Sequence, residues 1–497
     1  MLFTSLEFFV FLTLVLVVFA LLPAGARWIG LLVASYLFYG FSKPINLVYL
    51  GAVTLVVWGC GRALQRTEFE PARRAWLAGG LVIVLGALFA FKFYDFIAGE
   101  IERAAAALLS GSRPESADTP ALTLPRLGVT TPVGFSFYAF SAAAYLVDAF
   151  ARRLPERSHG GHVALYLAYF PKILAGPIER ATAFLPQVAA GLRADPARAV
   201  VGLQLIGWGL IKKVVIADNL APVVDKTFNI VAFASPIDLL ISVYFFAFQI
   251  YCDFSGYADI AIGVSLLFGV QLMDNFRRPY LARSTAEFWG ERWHISLGKW
   301  FRDYLYIPLG GGHAGPVRMY LNLMVVFLVS GLWHAGLGYG VGWTFLVWGA
   351  LNGAYQWAGV ATRPLWRRAG AALPRVRASW WLAVLRALLT FHLIAIAWIF
   401  FRAKAIGDAW LILQKIGTRL ADMPALIVNF PFTADHITGF VLIALLLGLE
   451  IIDEHRSVFR RLAAAPVVVR WGVWYAGIFA LLIFGRWQAQ EFIYMQF

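Results

Sequence analysis

Long, nearly uninterrupted runs of apolar residues recur along the whole chain. They lie near residues 4–22, 27–41, 44–60, 75–97, 133–150, 200–217, 237–252, 256–272, 319–335, 341–360, 380–401, 437–453 and 470–486. A spanning helix needs about 20 apolar residues to cross roughly 30 Å of hydrocarbon, and long runs without strict alternation favour helices over a barrel. The pattern predicts an all-α polytopic membrane protein with about 11 transmembrane helices plus re-entrant and interfacial helices.

The apolar runs change in character along the chain. Up to about residue 97 they are plain, and towards the C-terminus they again consist mainly of Leu, Val and Ala. Between Thr131 and Phe401 they contain embedded Gly, Pro, Asp, Asn and His residues, which is typical of helices broken around an internal cavity. We therefore expect one membrane-embedded domain over residues 1–497, with its functional core in the central region.

Composition narrows the choice of ligand. Of the 497 residues, 60% are hydrophobic and 14% are charged, against about 25% charged in an ordinary soluble domain. Most of the excess behind the net charge of +14 lies in short arginine-rich loops between apolar runs, as the positive-inside rule describes. A smaller share of these cations can attract an anionic cytosolic ligand, and nothing indicates nucleic acid. Cys60 and Cys252 lie in or beside apolar runs, which argues against a disulfide framework or a metal site.

Residues 288–311, FWGERWHISLGKWFRDYLYIPLGG, gather charged side chains among aromatic ones. The capping-box sequence STAE at 284–287 predicts a helix that ends before Pro308. Helical spacing places His294 and Gly298 on one face. The opposite face carries Trp289, Trp293, Ser296, Trp300 and Tyr304. Because charges are costly at the bilayer centre, we expect this helix to line a polar chamber with His294 facing it; the alternative is a structural hydrogen-bond network around His294.

A second histidine ends the apolar run MYLNLMVVFLVSGLW at residues 319–333. His334 is followed by glycines at positions 336, 338, 340 and 342, and such a break permits close approach of backbone or ligand. An imidazole there is a candidate general base near neutral pH. The alternative is a histidine bonded across a helix interface.

Two carboxylates lie in another apolar run, FQIYCDFSGYADIAIG at residues 248–263. Asp253 and Asp259 are six positions apart, about 120° from one another on a straight helix, so they do not form an obvious catalytic pair. We interpret them as structural ion-pair partners of Arg277, Arg278 or Lys172.

Several long strings resemble the membrane-bound O-acyltransferase family, in particular its bacterial alginate and exopolysaccharide O-acetyltransferase branch. They are TPVGFSFYAFSAAAYLVDAF, YFPKILAGPIERATAFLPQ, FQIYCDFSGYADIAIG, NFRRPYLARSTAEFWGERWHISLGKWFRDYLYIPLGG and SGLWHAG with GWTFLVWG. The likeness covers about residues 130–402. It implies a ring of helices around a central chamber that is thin at its centre, where an acyl donor arrives from the cytosol and an acceptor from the far side.

The resemblance also assigns roles to residues. His334 in SGLWH corresponds to the family's catalytic histidine, and His294 in RWHISL to its second active-site position. WGALNGAY carries Asn352 where many members of the branch have a histidine. Asn352 and Ser296 are therefore candidates for binding the oxyanion or for positioning. Arg277, Arg278, Lys299 and Arg302 are candidates for binding the phosphates of coenzyme A, although the positive-inside rule explains these cations equally well.

By resemblance, the protein is a membrane O-acetyltransferase of the bacterial inner membrane, with acetyl-CoA as donor substrate and no bound cofactor. The acetyl group would pass to the serine of a periplasmic SGNH-type acetyltransferase and then to a polysaccharide such as alginate. Two alternatives remain open: transfer of D-alanine or another acyl group from a carrier protein, and solute transport, for which broken helices and buried charges are equally expected.

Overall fold

The computed structural model describes residues 1–110, 122–128, 131–155, 159–313, 315–335, 342–377, 379–487 and 492–493. Within these ranges the regular secondary structure is helical and contains no strand, which confirms the all-α prediction. The first ten α-helices are α1 Leu6–Leu21, α2 Arg27–Gly40, α3 Ile45–Arg66, α4 Glu70–Lys92, α5 Tyr94–Ser110, α6 Phe135–Phe150, α7 Gly160–Ala168, α8 Ala181–Ala189, α9 Pro196–Leu210 and α10 Asp218–Asn229.

The central and C-terminal helices complete the chain. They are α11 Pro236–Leu267, α12 Thr285–Glu287, α13 Ile295–Phe301, α14 Pro316–His334, α15 Trp343–Ala372, α16 Pro374–Arg377, α17 Trp380–Arg402, α18 Ile406–Thr418, α19 Met423–Val428, α20 Ala434–His455, α21 Val458–Ala464 and α22 Val467–Phe484. Three π-helical segments interrupt or extend them: Ile211–Ala217, Phe288–Arg292 and Arg302–Tyr306.

Eight helical segments of the described chain are long and apolar enough to cross a membrane. They are Ile45–Arg66, Glu70–Lys92, Pro196–Asn229, Pro236–Leu267, Pro316–His334, Trp380–Arg402, Ala434–His455 and Val467–Phe484. Two shorter apolar helices, α1 and α6, accompany them. The chain is therefore a multi-pass membrane protein.

Helix α11 lies at the centre of the fold, because 83% of its most apolar window is buried inside the protein. It packs against α9 through two pairs of glycines. A Cβ added to Gly209 would lie 2.5 Å from the carbonyl oxygen of Gly256, and one added to Gly202 would lie 2.6 Å from that of Gly263. Small residues at this spacing let two membrane helices approach backbone to backbone, so these glycines fix the spacing of α9 and α11.

The stretch after Ser284 is not the continuous helix that the sequence pattern predicts. A helix does begin at Thr285, with the Ser284 hydroxyl accepting from the Glu287 N–H at 3.1 Å, but it passes into a π-helical turn and stops at Arg292. Trp293 is extended, and His294 adopts a left-handed conformation with φ 41° before α13 starts. A main-chain bond to a segment 20 residues earlier competes with the helix here, since the Ile295 N–H donates to the Asn275 carbonyl at 2.9 Å.

Candidate active site

The broken stretch, α14 and α15 together enclose one cavity of about 580 Å³. Its walls are largely aromatic and aliphatic, with polar side chains at a few points. The lining includes two histidines, two tryptophans, three cations and two uncharged polar side chains: Trp289, His294, Lys299, Arg302, Ser330, His334, Trp348, Gln356 and Arg363. An apolar cavity with a few convergent polar groups is the usual form of a small-molecule site.

His294 reaches this cavity from the break between two helical pieces. Its side chain is buried, and its ring lies edge-on to Phe254 with 4.7 Å between centroids and parallel to Phe276 at 6.3 Å. A left-handed backbone conformation costs a non-glycine residue about 1–2 kcal/mol, and such strain often concentrates at functional sites. Burial lowers the pKa of His294 to about 3, so its imidazole is neutral at physiological pH.

His334 enters the same cavity as the last residue of α14. Its ring packs among three aromatic side chains at centroid distances of 5.1 to 6.1 Å: Phe345, Trp348 and Phe401. The helix ends where the Ala335 N–H donates back to the Gly331 carbonyl at 3.2 Å. The predicted glycine break continues through positions 336–341, which lie outside the described residues. The structure thus brings the two sequence-predicted histidines to one cavity from separate elements.

Asn352 and Ser296 are buried beside the cavity and are not among the residues that line it. The Asn352 side chain accepts from Trp289 Nε1 at 2.9 Å and donates to the Trp348 carbonyl at 2.8 Å. The Ser296 hydroxyl donates to Asn275 Oδ1 at 2.8 Å and accepts from the Ile178 N–H at 3.0 Å. Asn352 therefore supports the Trp289 side chain of the cavity wall, and the role of either residue at an oxyanion stays a prediction.

The four sequence-predicted phosphate-binding cations divide into two groups. Lys299 and Arg302 line the cavity. Arg277 is mostly exposed and lies 3.7 Å from Asp274, whereas Arg278 pairs with Asp453 and with Glu454. Neither Arg277 nor Arg278 is among the residues that line the cavity.

Three polar residues of the cavity were missed by the sequence reasoning. Ser330 precedes His334 by one helical turn, and Gln356 follows Asn352 by one turn, so i, i+4 spacing on α14 and α15 carried the signal. Arg363 lies further along α15 and also lines the cavity. In the sequence it does not stand out, because Arg367 and Arg368 follow it and together they resemble a positive-inside signal after the apolar run at residues 341–360.

Two imidazoles in a largely apolar cavity can move a proton and donate a hydrogen bond at the same centre. The cations on the cavity wall can hold an anionic ligand whose reactive end reaches the histidines. This arrangement fits acyl transfer to a hydroxyl, which needs a base, an oxyanion donor and a bound acyl donor.

Comparison with known proteins defines the class. Residues 131–404 match the sequence model of the MBOAT, membrane-bound O-acyltransferase family. The chain belongs to this family, and the protein is an acyltransferase.

Individual relatives give the branch. The chain is 35% identical to a probable alginate O-acetylase of Azotobacter vinelandii over 82% of this chain and 77% of the relative. It is 32% identical to a peptidoglycan O-acetyltransferase of Helicobacter pylori over 83% of this chain and 78% of that protein. A teichoic acid D-alanyltransferase of Bacillus subtilis is 24% identical over 55% of this chain and 69% of the relative.

Proposed function

We propose that the protein transfers an acetyl group from acetyl-CoA to a hydroxyl acceptor at the cavity shared by His334 and His294. The observation that carries this proposal is the meeting of both histidines in one cavity that Lys299, Arg302 and Arg363 also line. The relatives whose names specify O-acetylation of alginate or peptidoglycan support acetyl as the group that is moved.

In this mechanism His334 is the general base. Its imidazole takes the proton of the acceptor hydroxyl as the hydroxyl oxygen attacks the thioester carbonyl carbon. An N–H of the neutral His294 imidazole stabilises the resulting oxyanion, and collapse of the intermediate breaks the carbon–sulfur bond. The departing thiolate takes the proton from the His334 imidazolium, which returns the site to its starting state. General-base catalysis typically contributes about 100- to 10,000-fold to such a rate.

The cations of the cavity wall would bind the phosphates of the donor. Lys299, Arg302 and Arg363 can pair with the phosphates of coenzyme A while the pantetheine arm lies along the apolar wall. The phosphopantetheine of a carrier protein shares this chemistry, so D-alanyl transfer is the second candidate, favoured by the similarity to a teichoic acid D-alanyltransferase.

The acceptor side of the proposal rests on the family resemblance and on the names of two relatives. We propose that the protein lies in a bacterial inner membrane, hands the acetyl group to the serine of a periplasmic SGNH-type partner, and so serves O-acetylation of an extracellular or periplasmic polysaccharide. Alginate and peptidoglycan are what the names of two relatives specify.

The test is release of free CoA from labelled acetyl-CoA by the purified full-length protein in lipid nanodiscs, with and without a soluble SGNH-type domain. His334→Ala should abolish release in a protein that stays folded. His392→Ala is the matched control, because His392 bonds to Tyr244 at 3.0 Å and does not line the cavity. Thioester cleavage that persists in His334→Ala removes the proposed base, and transport of an intact solute without cleavage favours a transporter. Preference for a D-alanyl carrier protein over acetyl-CoA favours the second candidate.

A further inference from the structure

Lys92, the last residue of α4, lies outside the region that matches the family, yet its terminal nitrogen reaches the end of the helix that carries His334. The side chain is buried at 5% exposure, and Nζ donates a hydrogen bond to the main-chain carbonyl of Trp333. The two residues are 241 positions apart. This contact joins the N-terminal helices to the residue directly before the proposed base.

The Trp333 carbonyl, which accepts this hydrogen bond, is one of the last four carbonyls of α14. An α-helix provides no N–H of its own for these four groups. A lysine beside such a carbonyl satisfies it and suits the negative end of the helix dipole. The Trp333 indole is held as well: Lys92 Nζ lies 5.2 Å from its ring, and Phe140 stacks on it at 5.3 Å. Backbone and side chain of Trp333 are thus both fixed immediately before His334.

A purely structural ion pair does not account for Lys92. Elsewhere in the protein, buried Lys212 and Lys213 pair with carboxylates at 2.6 and 2.7 Å. No carboxylate in the described part of the chain forms an ion pair with Lys92, which instead bonds to the Trp333 carbonyl and contacts the Phe93 and Trp333 rings. Burying an amine is costly, and here the cost is incurred at one helix end, beside the cavity.

The segment formed by residues 92–96 also contacts the residue that precedes α15. A Cβ added to Gly342, directly before α15, would collide with the ring of Phe96 on α5. Residues 92–96 therefore contact the last turn of α14 on one side and the start of α15 on the other. Both helices contribute to the cavity wall.

We propose that Lys92 is a positioning residue for acyl transfer: by holding the Trp333 carbonyl it fixes the end of α14 and directs the His334 imidazole at the reacting atoms. This rests on the proposed role of His334 as base. Lys92 does not line the cavity, so it acts through the histidine and leaves donor binding to other residues. A displacement of about 1 Å at a catalytic group can reduce a rate by about 100-fold.

The test compares kcat and KM for CoA release from acetyl-CoA by the full-length protein in nanodiscs, per folded molecule. Lys92→Met, which removes the donor and keeps the length, should lower kcat by about 10- to 100-fold and leave KM for acetyl-CoA unchanged. Lys92→Arg, which keeps a donor, should recover most of kcat. Lys415→Met is the matched control, because Lys415 also donates to main-chain carbonyls, those of residues 231, 232 and 234 at 2.7 to 3.0 Å, away from the cavity.

The outcomes separate this proposal from the one on which it rests. The proposal is overturned if Lys92→Met keeps the wild-type kcat, or if it raises KM without lowering kcat. It is also overturned if Lys92→Met and Lys415→Met lose equal activity, or if Lys92→Arg recovers none. His334→Ala is measured in parallel, and full activity there overturns the base assignment instead. If Lys92→Met does not fold, Lys92→Gln, with a shorter donor, takes its place, and its kcat should lie between those of Lys92→Arg and His334→Ala.

Discussion

At the scale of single residues, Asn352 shows how a wall beside the histidines is built. Its carbonyl oxygen accepts from the Trp289 indole and orients that ring, which lies edge-on to Trp348 at 5.5 Å; its amide donates to the main-chain carbonyl of Trp348. Trp348 in turn lies edge-on to His334 at 5.4 Å. The amide therefore affects the space around the base without touching it.

A double-mutant cycle on this contact tests the supporting role. Asn352→Ala leaves the half-buried Trp289 N–H without its acceptor, and a fully buried unsatisfied donor costs about 1–3 kcal/mol, so we expect a cost towards the lower end of that range. Trp289→Phe removes the donor, so the double variant should cost less than the sum of the two singles. The measurement is the unfolding midpoint in mixed micelles containing SDS. Strict additivity would mean that the two side chains are not coupled.

The sequence pattern singled out His294 and His334, which the structure places at one cavity, while their catalytic roles stay predictions; partners distant in the chain were not predictable. His334 ends an apolar run before a glycine-rich break, and His294 lies among charged and aromatic residues one helical turn before Gly298. The partners of Asp253 and Asp259 were predicted wrongly: the ion pairs form with Lys213 and Lys212, which lie some 40 residues upstream on a π-helical segment. Lys92 gave no signal, since a lysine at the end of an apolar run normally marks an interface.

At the scale of elements, the break at Trp293 and His294 is the feature that apolar spacing did not reveal. Helical periodicity would place His294 on one face of a continuous helix, but the structure presents the histidine from a left-handed residue that caps α13. The cause is a main-chain bond to Asn275, which no local pattern contains. The four aromatic residues and Ser296 that were predicted to share one helix face therefore do not do so: Trp289 lines the cavity, whereas Ser296 bonds to Asn275.

The glycine contact between α9 and α11 gives a prediction at this scale. Gly209→Ala should destabilise the protein, because its Cβ would lie 2.5 Å from a main-chain oxygen of α11 and overpacking costs about 1–3 kcal/mol. Gly207→Ala on the same helix is the control: its Cβ would meet only the Trp474 ring at 3.6 Å, and Ala is the better helix former by about 1 kcal/mol. The unfolding midpoint should fall for the first variant and hold or rise for the second, and equal midpoints would contradict the close approach.

At the scale of the whole molecule, the site depends on helices outside the matched region. Lys92 reaches the end of α14 from α4, and Glu454 near the end of α20 accepts from Arg292 at 2.8 Å and forms an ion pair with Arg278 at 2.6 Å. Arg292 lies two residues before His294, and its carbonyl accepts from the Arg277 N–H at 2.8 Å. The sequence located the family core and its histidines, but contacts between the ends of the chain and the core depend on tertiary packing.

The Glu454 contacts connect the C-terminal helices to the broken stretch that presents His294. Glu454→Gln keeps the shape of the side chain but removes its charge, and a charge-assisted hydrogen bond is worth about 1.5–3 kcal/mol. We therefore expect a lower unfolding midpoint. Because Arg292 anchors the turn before His294, we also expect slower CoA release from acetyl-CoA per folded molecule. Asp435→Asn removes a more exposed pair with Arg486, whose side chains are 51% and 38% exposed, and exposed pairs contribute only about 0–1 kcal/mol. That control should leave both measurements close to wild type. Slower release confined to Glu454→Gln would make the C-terminal helices part of the catalytic framework, and unchanged release in a less stable protein would limit them to holding the fold together.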